Sequence, residues 1–264
     1  MTAPTTDSEF QLEGRRVLVT GAGQGVGEGI AHQLAALGAE VIVNDYFAER
    51  AEAVAGAIVD SGGRARGVPF DVTDHTMVTD AIAGVGGVDV LVNNAGNAGT
   101  EGFGSLDPFV ATDPSEWSKY FDVNLYGVMN CTHAALPHMI ERGWGRVVTM
   151  ISDAGRIGEA YMATYAAAKS GAAGFCRAVA REVARHGITV NNISLGTMLT
   201  PLTAPVYDNP DMADRKKAIL SSYLVRRPGE PADAAWLVAT LVSPRASWVT
   251  GQTIPLNGGH SLAL

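Results

Sequence analysis

The chain has 264 residues, of which 47% are hydrophobic and 31 are glycines, enough to bury a large core in one α/β domain. Its formal net charge of -8 argues against a phosphate-backbone partner, because nucleic-acid-binding proteins usually present a basic face. No apolar run approaches the ~18 residues of a membrane span, so we expect neither a nucleic-acid partner nor a membrane partner.

The terminal segment and the cysteines indicate a cytoplasmic protein. Residues 1–13 are expected to form a flexible extension of a single catalytic domain spanning 1–264, and no basic and apolar export signal is visible there. Cys131 and Cys176 are too few for a disulfide framework in a chain of this length. His133 and His138 are five residues apart, outside the i,i+4 spacing of a zinc helix, and we predict no metal site.

Short β-branched segments alternate with alanine-rich helical patterns along the chain, which indicates βαβ units and a parallel sheet covered on both faces. The sequence therefore predicts a doubly wound α/β fold with seven strands, at 16–20, 40–44, 66–70, 88–93, 145–151, 189–194 and 252–255. Helices are predicted at 25–37, 48–61, 74–83, 114–142, 161–186 and 231–242. The irregular segments 95–113 and 196–228 follow strands, and loops at the carboxyl ends of parallel strands form ligand crevices. We expect both to shape a substrate pocket.

A glycine-rich turn follows the first predicted strand. Gly21 and Gly23 follow that strand, and Gly25 and Gly27 open the helix after it. Without side chains, such a turn can bring backbone N–H groups and the helix N-terminus to a pyrophosphate. A glycine-rich turn that binds no ligand is the alternative, because the motif alone is weak evidence.

An acidic residue ends the second predicted strand. Asp45 lies 18 residues after Gly27, close to the ~20-residue offset of an acid that binds an adenosine ribose. It could instead be a helix cap or turn residue, or serve both purposes. Tyr46 and Phe47 place no cation beside it, and the nearest basic residue is Arg50. A 2′-phosphate would meet this carboxylate, and like charges ~4 Å apart cost about 4 kcal/mol at an effective dielectric constant near 20. We therefore expect NAD rather than NADP.

Tyr165 and Lys169 are four residues apart, so in a helix they lie on one face. An ammonium there can lower the phenol's ordinary pKa of about 10 and make tyrosine an acid or base near neutral pH. Ser152 precedes Tyr165 by 13 residues, at the end of a predicted strand. Taken singly, a tyrosine and a lysine at this spacing are usually a surface pair, and a serine after a strand is usually part of a turn.

The combined pattern TGxxxGxG, NNAG, serine and YxxxK resembles the short-chain dehydrogenase/reductase family over nearly the whole chain. The resemblance implies a Rossmann fold and hydride transfer between a secondary alcohol and a nicotinamide cofactor, with Tyr165 as acid or base. It also implies that Lys169 binds the nicotinamide ribose, that Ser152 orients the substrate and that Asn124 anchors a proton-relay water. Relatives commonly form homotetramers through two long helices, and we expect the same here.

The resemblance also extends the expected cofactor site. Asp71 and Val72 correspond to a pair beside the adenine ring, although Asp71 and Asp74 could instead cap the next helix, the interpretation we favour for Asp74. The expected cofactor contacts are Gly21, Gly23, Gln24, Gly25, Val26, Gly27, Asp45, Tyr46, Asp71, Val72, Asn93, Ala95, Gly96, Tyr165, Lys169, Gly196, Thr197 and Thr200.

Two places depart from the family pattern. Leu195 and Gly196 stand where Pro-Gly is common, so the loop is expected to start with more mobility and to fix Thr197 and Thr200 less firmly. Asp153 follows the expected catalytic serine, where a small or neutral residue is common. Its carboxylate either repels anionic groups near the pocket or points away.

These features predict an NAD-dependent oxidoreductase that interconverts a secondary alcohol and a ketone. The substrate is expected to be apolar, either an alicyclic or steroid-like alcohol or a hydroxyacyl thioester. This expectation comes from residues in segments that line the pocket in relatives, namely Tyr161, Met162, Met198, Leu199, Leu202, Val206 and Tyr207. Several of them could instead pack against one another in the segment that covers the pocket. One alternative is a 3-oxoacyl-type reductase using NAD(P)H, which Asp45 disfavours. Another is a dinucleotide-sensing protein without catalysis, which could dispense with the serine, tyrosine and lysine that are all present.

Overall fold

A computed structural model describes residues 10–96 and 106–262. Its strands form one parallel sheet in the order β3-β2-β1-β4-β5-β6-β7, which confirms the predicted seven-stranded Rossmann fold. The strands are β1 (Arg16–Val19), β2 (Glu40–Val43), β3 (Arg64–Gly67), β4 (Val90–Asn93), β5 (Gly145–Ser152), β6 (Ile188–Leu195) and β7 (Thr253–Leu256).

Helices connect the strands. They are α1 (Gly25–Ala36), α2 (Ala48–Asp60), α3 (His75–Gly84), α4 (Ser118–Phe121), α5 (Gly127–Arg142), α6 (Asp153–Ile157), α7 (Ala163–Val183), α8 (Ala204–Asp208), α9 (Ala213–Ser221) and α10 (Pro231–Val242). Within the described ranges, none of these helices combines the length and the apolar character that crossing a bilayer requires.

The core lies on both faces of the sheet. The central strands β4, β5 and β6 bury almost every residue, as expected for parallel strands covered on two sides. Side chains alternate between the faces, so Val17 and Val19 belong to one core cluster and Leu18 to the other. The first cluster includes residues of α1, α2 and α10, whereas the second includes residues of α3, α5 and α7. The sheet is therefore doubly wound, as predicted.

The strand order reverses between β1 and β4, and a ligand crevice forms at such a point because the loops leaving the two strands diverge. Thr20 joins these loops: its Oγ1 accepts hydrogen bonds from the N–H groups of Asn94 and Ala95 at 3.0 and 3.1 Å. The Asn94 amide in turn donates to the carbonyls of Thr20 and Gly21 at 3.0 and 2.9 Å. Side-chain hydrogen bonds to backbone therefore fix the base of the crevice.

The edge strand β3 lies earlier than predicted. The apolar spacing predicted a strand at 66–70, but β3 pairs with β2 over 64–67. Beyond it, the Asn44 amide donates to the carbonyls of Val68 and Phe70 at 3.2 and 3.0 Å. A side chain thus satisfies the backbone where the sequence pattern suggested a strand ladder.

The predicted helix 114–142 is interrupted. A 3₁₀ turn at Pro114–Glu116 and α4 precede a π-helical turn at Asp122–Tyr126, after which α5 completes the segment. Within the π turn, the Asn124 amide donates to the Tyr120 carbonyl at 2.8 Å, and such a bond competes with the backbone ladder. Single π turns inside α-helices are frequent at functional sites. Apolar periodicity cannot reveal this change, since the spacing continues through it.

Other boundaries differ for local reasons. Tyr161 has a φ of 68°, a left-handed conformation that excludes it from a helix, so α7 begins at Ala163. The last predicted turn of that helix, 184–186, is 3₁₀. The segment 196–228, predicted as irregular, contains the short helices α8 and α9.

The expected N-terminal extension is shorter than predicted. Leu12 is buried, and its N–H donates to the Leu37 carbonyl at 2.8 Å, so the last residues of 1–13 are bound to the domain. Residues 1–9 lie outside the described part of the chain, as does 97–105, which belongs to a predicted pocket-shaping segment.

We expect Thr20→Val to lower the free energy of unfolding by about 1–3 kcal/mol, because it leaves two partly buried N–H groups without their acceptor. It should also weaken dinucleotide binding, since the loops after β1 and β4 lose their common anchor. Thr20→Ser, which keeps the hydroxyl, is the control and should retain binding. Urea unfolding and dinucleotide titration measure both effects; equal binding by the two variants would contradict the proposed anchor.

Candidate functional site

A cleft of about 1140 Å³ lies at the carboxyl edge of the sheet. Drug-sized ligand pockets occupy ~300–1,000 Å³, so this cleft has room for a dinucleotide together with a second small molecule. The predicted residues that line it are Gly21, Gln24, Gly25, Val26, Asp45, Tyr46, Asp71, Val72, Ala95, Gly96, Ser152, Tyr165, Lys169, Gly196, Thr197 and Thr200. Most of the residues predicted for the site therefore lie on the wall of one cleft.

The glycine turn fits a bound pyrophosphate. Gly21 has a φ of 59°, and a Cβ there would lie 2.9 Å from the Ala95 Cα, so no side chain can be accommodated. At Gly27 a Cβ would lie 2.5 Å from the Gly21 carbonyl oxygen. Gln24 begins α1 without a side-chain cap, which leaves first-turn N–H groups for an anionic ligand. Gly23 and Gly27 shape this turn from behind the cleft wall rather than lining it.

Asp45 is buried at the adenosine part of the expected site. Its Oδ2 accepts a hydrogen bond from the Gly23 N–H at 3.1 Å, and its Oδ1 accepts one from the Phe47 N–H at 3.1 Å. The residue therefore serves as the turn residue that the sequence allowed, and it also lines the cleft. The guanidinium of Arg50 lies over the Phe47 ring, 4.4 Å from its centroid.

The acids after β3 divide into two local roles. Asp74 caps α3 by accepting from the N–H groups of Thr76 and Met77 at 2.9 and 3.0 Å, which confirms the preferred interpretation. Asp71 Oδ1 accepts from both the N–H and the hydroxyl of Thr73 at 2.8 Å. Asp71 thus stabilises a turn, and it also lines the cleft.

Asn93 is buried and does not line the cleft, and its contact with the cofactor stays a prediction. Its amide donates to the hydroxyls of Thr132 and Thr149, both at 3.2 Å, inside the protein. Side chains alternate along a strand, and this places the next residue, Asn94, on the cleft wall instead. The alternation of side chains along the strand could have indicated that Asn94, rather than Asn93, lines the cleft.

Ser152, Tyr165 and Lys169 meet on the cleft wall. The Ser152 hydroxyl lies near enough to the Tyr165 phenol to lower its pKa, and it accepts a hydrogen bond from the Ala154 N–H at 3.2 Å. The Lys169 ammonium donates to the Met150 carbonyl at 2.8 Å and lies 5.8 Å from the centroid of the tyrosine ring. The end of β5 and the first turns of α7 therefore bring together the three side chains that the sequence had singled out.

Burial has the largest effect on the pKa values of Tyr165 and Lys169. It raises the pKa of Tyr165 to about 12, although the hydrogen bond from Ser152 lowers this pKa and Glu159 raises it further. It also lowers the pKa of Lys169 to about 8. Burial thus sets the direction of both shifts in the protein alone, and the lowering of the phenol pKa by Lys169 stays a prediction.

Asn124 is buried in the π turn and does not line the cleft itself. A Cβ at Gly96 would lie 3.1 Å from Asn124 Oδ1 and 3.0 Å from Lys169 Nζ, so both polar atoms border this glycine. A larger residue at position 96 would therefore crowd the asparagine and the lysine and displace their polar atoms. In the described part of the chain, no group of three or more His, Cys, Asp or Glu residues could hold a metal ion.

The segment after β6 is fixed by a residue that sequence reasoning missed. The Tyr223 hydroxyl accepts a hydrogen bond from the Thr197 N–H at 2.8 Å and donates to Thr197 Oγ1 at 2.9 Å. Its ring stacks on His260 with the centroids 4.9 Å apart. Tyr223 and His260 are far from the glycine turn in the sequence and belong to none of the motifs that predicted the site. Only the fold brings them to the segment after β6.

A second pocket of about 250 Å³ adjoins Tyr165. It is lined mainly by apolar and aromatic side chains, and Met162 belongs to the walls of both this pocket and the cleft. The rings of Phe109 and Trp117 stack on each other there, with centroids 5.2 Å apart. Tyr161, the residue with the left-handed backbone, is part of the same lining.

Comparisons with known proteins agree with this architecture. A family model described as short chain dehydrogenase matches residues 15–211. The chain is 35% identical to the 3-oxoacyl-[acyl-carrier-protein] reductase FabG of Vibrio cholerae, over 95% of this chain and 98% of that one. It is 38% identical to the short-chain reductase protein NovJ of Streptomyces niveus, over 92% of each.

A solved structure gives the same result. The gluconate 5-dehydrogenase of Burkholderia cenocepacia, in complex with NADP and tartrate, superposes with a TM-score of 0.88 at 32% identity, covering 98% of this chain and 100% of that one. The chain belongs to the short-chain dehydrogenase family, and it is an oxidoreductase with a dinucleotide-binding fold.

We expect Lys169 to change charge near pH 8, as an ammonium below that pH and an amine above it, because burial disfavours its charged form. NMR of protein labelled on its four lysine side chains can follow this titration. The resonance that is missing in Lys169→Arg should titrate with a midpoint near 8. A midpoint above ~10, the value of an unperturbed lysine, would contradict the effect of burial.

Proposed function

We propose that the protein is an NAD-dependent oxidoreductase that interconverts a secondary alcohol and a ketone by hydride transfer. The observation that carries this proposal is the assembly of Ser152, Tyr165 and Lys169 on one wall of a cleft large enough for a dinucleotide and a substrate. Such a group can hold the oxygen of an alcohol or ketone and exchange a proton with it.

Each side chain has a distinct part in the proposed proton transfer. Tyr165 takes the hydroxyl proton during oxidation and returns it during reduction. Ser152, which lines the same cleft wall, orients the reacting oxygen. Lys169 carries a positive charge 5.8 Å from the centroid of the Tyr165 ring, which favours the phenolate as it forms, and it can bind a ribose hydroxyl. Asn124, beside the lysine at Gly96, would hold a water on the path to solvent.

The dinucleotide, when bound, supplies the hydride donor or acceptor. The glycine turn and the uncapped start of α1 would hold its pyrophosphate. Asp45 supports NAD over NADP, because a buried acid lies where a 2′-phosphate would need a cation. Arg50, the basic side chain nearest in sequence, is stacked on Phe47. The gluconate 5-dehydrogenase contains NADP, so cofactor preference is the sharpest difference to test between these relatives.

The lining of the smaller pocket supports an apolar substrate group next to the reacting carbon. Phe109 and Trp117 present a stacked pair, and Met162 and Tyr165 connect that pocket to the cleft. Burying apolar area there contributes roughly 25 cal/mol per Å². An alicyclic or steroid-like alcohol or a hydroxyacyl thioester fits this description.

A 3-oxoacyl-type reductase is the second candidate, favoured by the similarity to FabG. Asp45 argues against its usual preference for NADPH. A dinucleotide-sensing protein without chemistry would not require a serine, a tyrosine and a buried lysine together on one cleft wall, so we disfavour it. NADH formation on a panel of secondary alcohols, compared with NADPH consumption on 3-oxoacyl thioesters, separates the three.

Two further expectations concern the domain organisation and the oligomeric state of the protein. We propose that the chain acts as one catalytic domain in which 196–228 binds the substrate, since Thr197, Thr200 and Tyr207 line the cleft. Assembly as a homotetramer through α5 and α7 stays a prediction from the family resemblance, and sedimentation analysis tests it.

We expect Tyr165→Phe to lower kcat by at least about 100-fold, because the variant removes only the group that exchanges the proton. NAD affinity should stay close to that of the wild type. Tyr126→Phe, which alters an exposed tyrosine outside the cleft, is the matched control. Retention of more than about a tenth of the wild-type kcat would remove Tyr165 from this role.

We expect Asp45→Asn to weaken NAD binding by about 1.5–3 kcal/mol, the range of a hydrogen bond to a charged group, and to improve NADP binding by removing the repulsion. The substitution keeps an acceptor oxygen for the glycine turn. Asp60→Asn makes the same charge change on an exposed part of α2 and should leave both affinities unaltered. The measurement is kcat/KM with each cofactor. An unaltered NAD/NADP ratio in Asp45→Asn would contradict the ribose contact.

A further inference from the structure

A buried carboxylate directly follows Ser152. Asp153 begins α6 and is only 3% exposed. Its Oδ1 accepts a hydrogen bond from the Ser194 hydroxyl at 2.6 Å, and its Oδ2 accepts one from the Asn257 amide at 2.6 Å. Arg156 Nε lies 3.3 Å from Oδ1 and forms an ion pair. The carboxylate thus faces protein partners, the second of the two orientations that the sequence allows.

These partners connect Asp153 to two other strands. Ser194 belongs to β6, and Asn257 directly follows β7. The Asn257 amide also donates to the Ser261 carbonyl at 3.2 Å, and Arg156 Nη2 donates to the Ser261 hydroxyl at 2.6 Å. The carboxylate is therefore the point at which the ends of β5, β6 and β7 are joined.

Stability alone gives little reason for an acid at this position. Removing a charge from water costs several kcal/mol, and buried ion pairs are often no better than apolar residues of the same volume. A carboxylate does offer two oxygens that accept several donors from different directions. Three donors held in this way fix the backbone of Asp153, and with it the direction of the neighbouring Ser152 side chain.

The position of the serine hydroxyl matters because Ser152 and Tyr165 lie on the same cleft wall. Ser152 Oγ accepts from the Ala154 N–H, one residue beyond Asp153, and lies near enough to the Tyr165 phenol to lower its pKa. A backbone shift at 153 would therefore alter both the serine and its contact with the tyrosine. Misplacement of a reacting group by about 1 Å can cost ~100-fold in rate.

We propose that Asp153 is a positioning residue that fixes the Ser152 hydroxyl against the Tyr165 phenol by joining the end of β5 to β6 and to the C-terminal turn. The inference rests on the proposed function, in which the serine and the tyrosine hold the reacting oxygen. A merely structural role would lower stability without changing the turnover of each folded site.

The test compares the single variant Asp153→Asn with a double variant that also carries Asn257→Asp. Asp153→Asn keeps the size of the side chain but sets an amide donor against the Asn257 amide, which is also a donor. Adding Asn257→Asp reverses donor and acceptor across this 2.6 Å contact. In the double variant, the amide oxygen at position 153 can still accept from the Ser194 hydroxyl. The carboxylate at position 257 can likewise still accept from the Gly259 N–H, but it can no longer donate to the Ser261 carbonyl, so the recovery is expected to be incomplete.

Asp233→Asn is the matched control. Asp233 also lies in the first turn of a helix and pairs with an arginine, Arg227, at 2.6 Å, but it does not line the cleft. Its substitution should lower stability and leave kcat unchanged. All variants are compared as kcat per dinucleotide-binding site, so that unfolded protein does not count.

We expect Asp153→Asn to lower kcat by about 10- to 100-fold with the KM for NAD within about twofold of the wild type. The double variant should recover most of the loss, as expected for two residues in contact. Ser152 lowers the pKa of Tyr165, so displacing its hydroxyl from the phenol raises that pKa and moves the acidic limb of the kcat–pH profile for alcohol oxidation to higher pH. Loss of a negative charge alone would move that limb to lower pH. The other charged groups near the phenol, Glu159 and Lys169, are the same in every variant.

The proposal is overturned if Asp153→Asn loses stability but keeps the kcat and the acidic limb of the wild type, as the control should. Wild-type turnover of secondary alcohols with NAD is measured first, and its absence would contradict the proposed function instead. In that case the role of Asp153 is tested by crystal structures of the wild type and Asp153→Asn, because they do not depend on turnover. An unchanged separation between the Ser152 and Tyr165 oxygens would then overturn it.

Discussion

The close approach of the loops after β1 and β4 is the constraint on which the site depends. Thr20 Oγ1 holds two N–H groups of the second loop, and Gly21 lies so near Ala95 that a side chain cannot fit. This contact forms the base of the crevice, from which the glycine turn leads to α1 and the second loop leads to Gly96. Glycines are required here because backbone meets backbone, and the N–H groups left free can then face a phosphate.

Burial has opposite consequences for the two titratable groups on the cleft wall. It favours the neutral phenol of Tyr165 and weakens the protonation of Lys169, yet a pKa of about 8 still leaves the lysine mostly charged at neutral pH. The lysine is anchored to the Met150 carbonyl, a neutral acceptor that does not cancel its charge. A phenolate forming nearby would therefore find an uncancelled ammonium in a medium of low dielectric constant. Its stabilisation there is larger than in water.

The sequence predicted the fold because buried parallel strands and amphipathic helices have distinct periodicities, and β4, β5 and β6 are buried almost throughout. It failed where a side chain replaces a backbone bond. Asn44 bonds the chain after β3, and Asn124 opens the π turn. Such bonds join residues according to their position in space and leave no periodic signal. The site was predictable from motifs with fixed spacing, whereas Tyr223 and Asn257 contribute through contacts that only the fold creates.

The segment after β6 illustrates how distant residues can replace a local restraint. Without proline at 195, the sequence predicts a mobile start to this loop. In the structure the Gly196 N–H donates to the Leu256 carbonyl at 3.1 Å, and Tyr223 holds Thr197 on both its N–H and its hydroxyl. The C-terminal turn that follows β7 is bonded in addition to Asp153, beside the candidate catalytic serine. One short segment thus restrains both the loop over the cleft and the end of β5, so a disturbance at the C-terminal turn would reach both walls of the site.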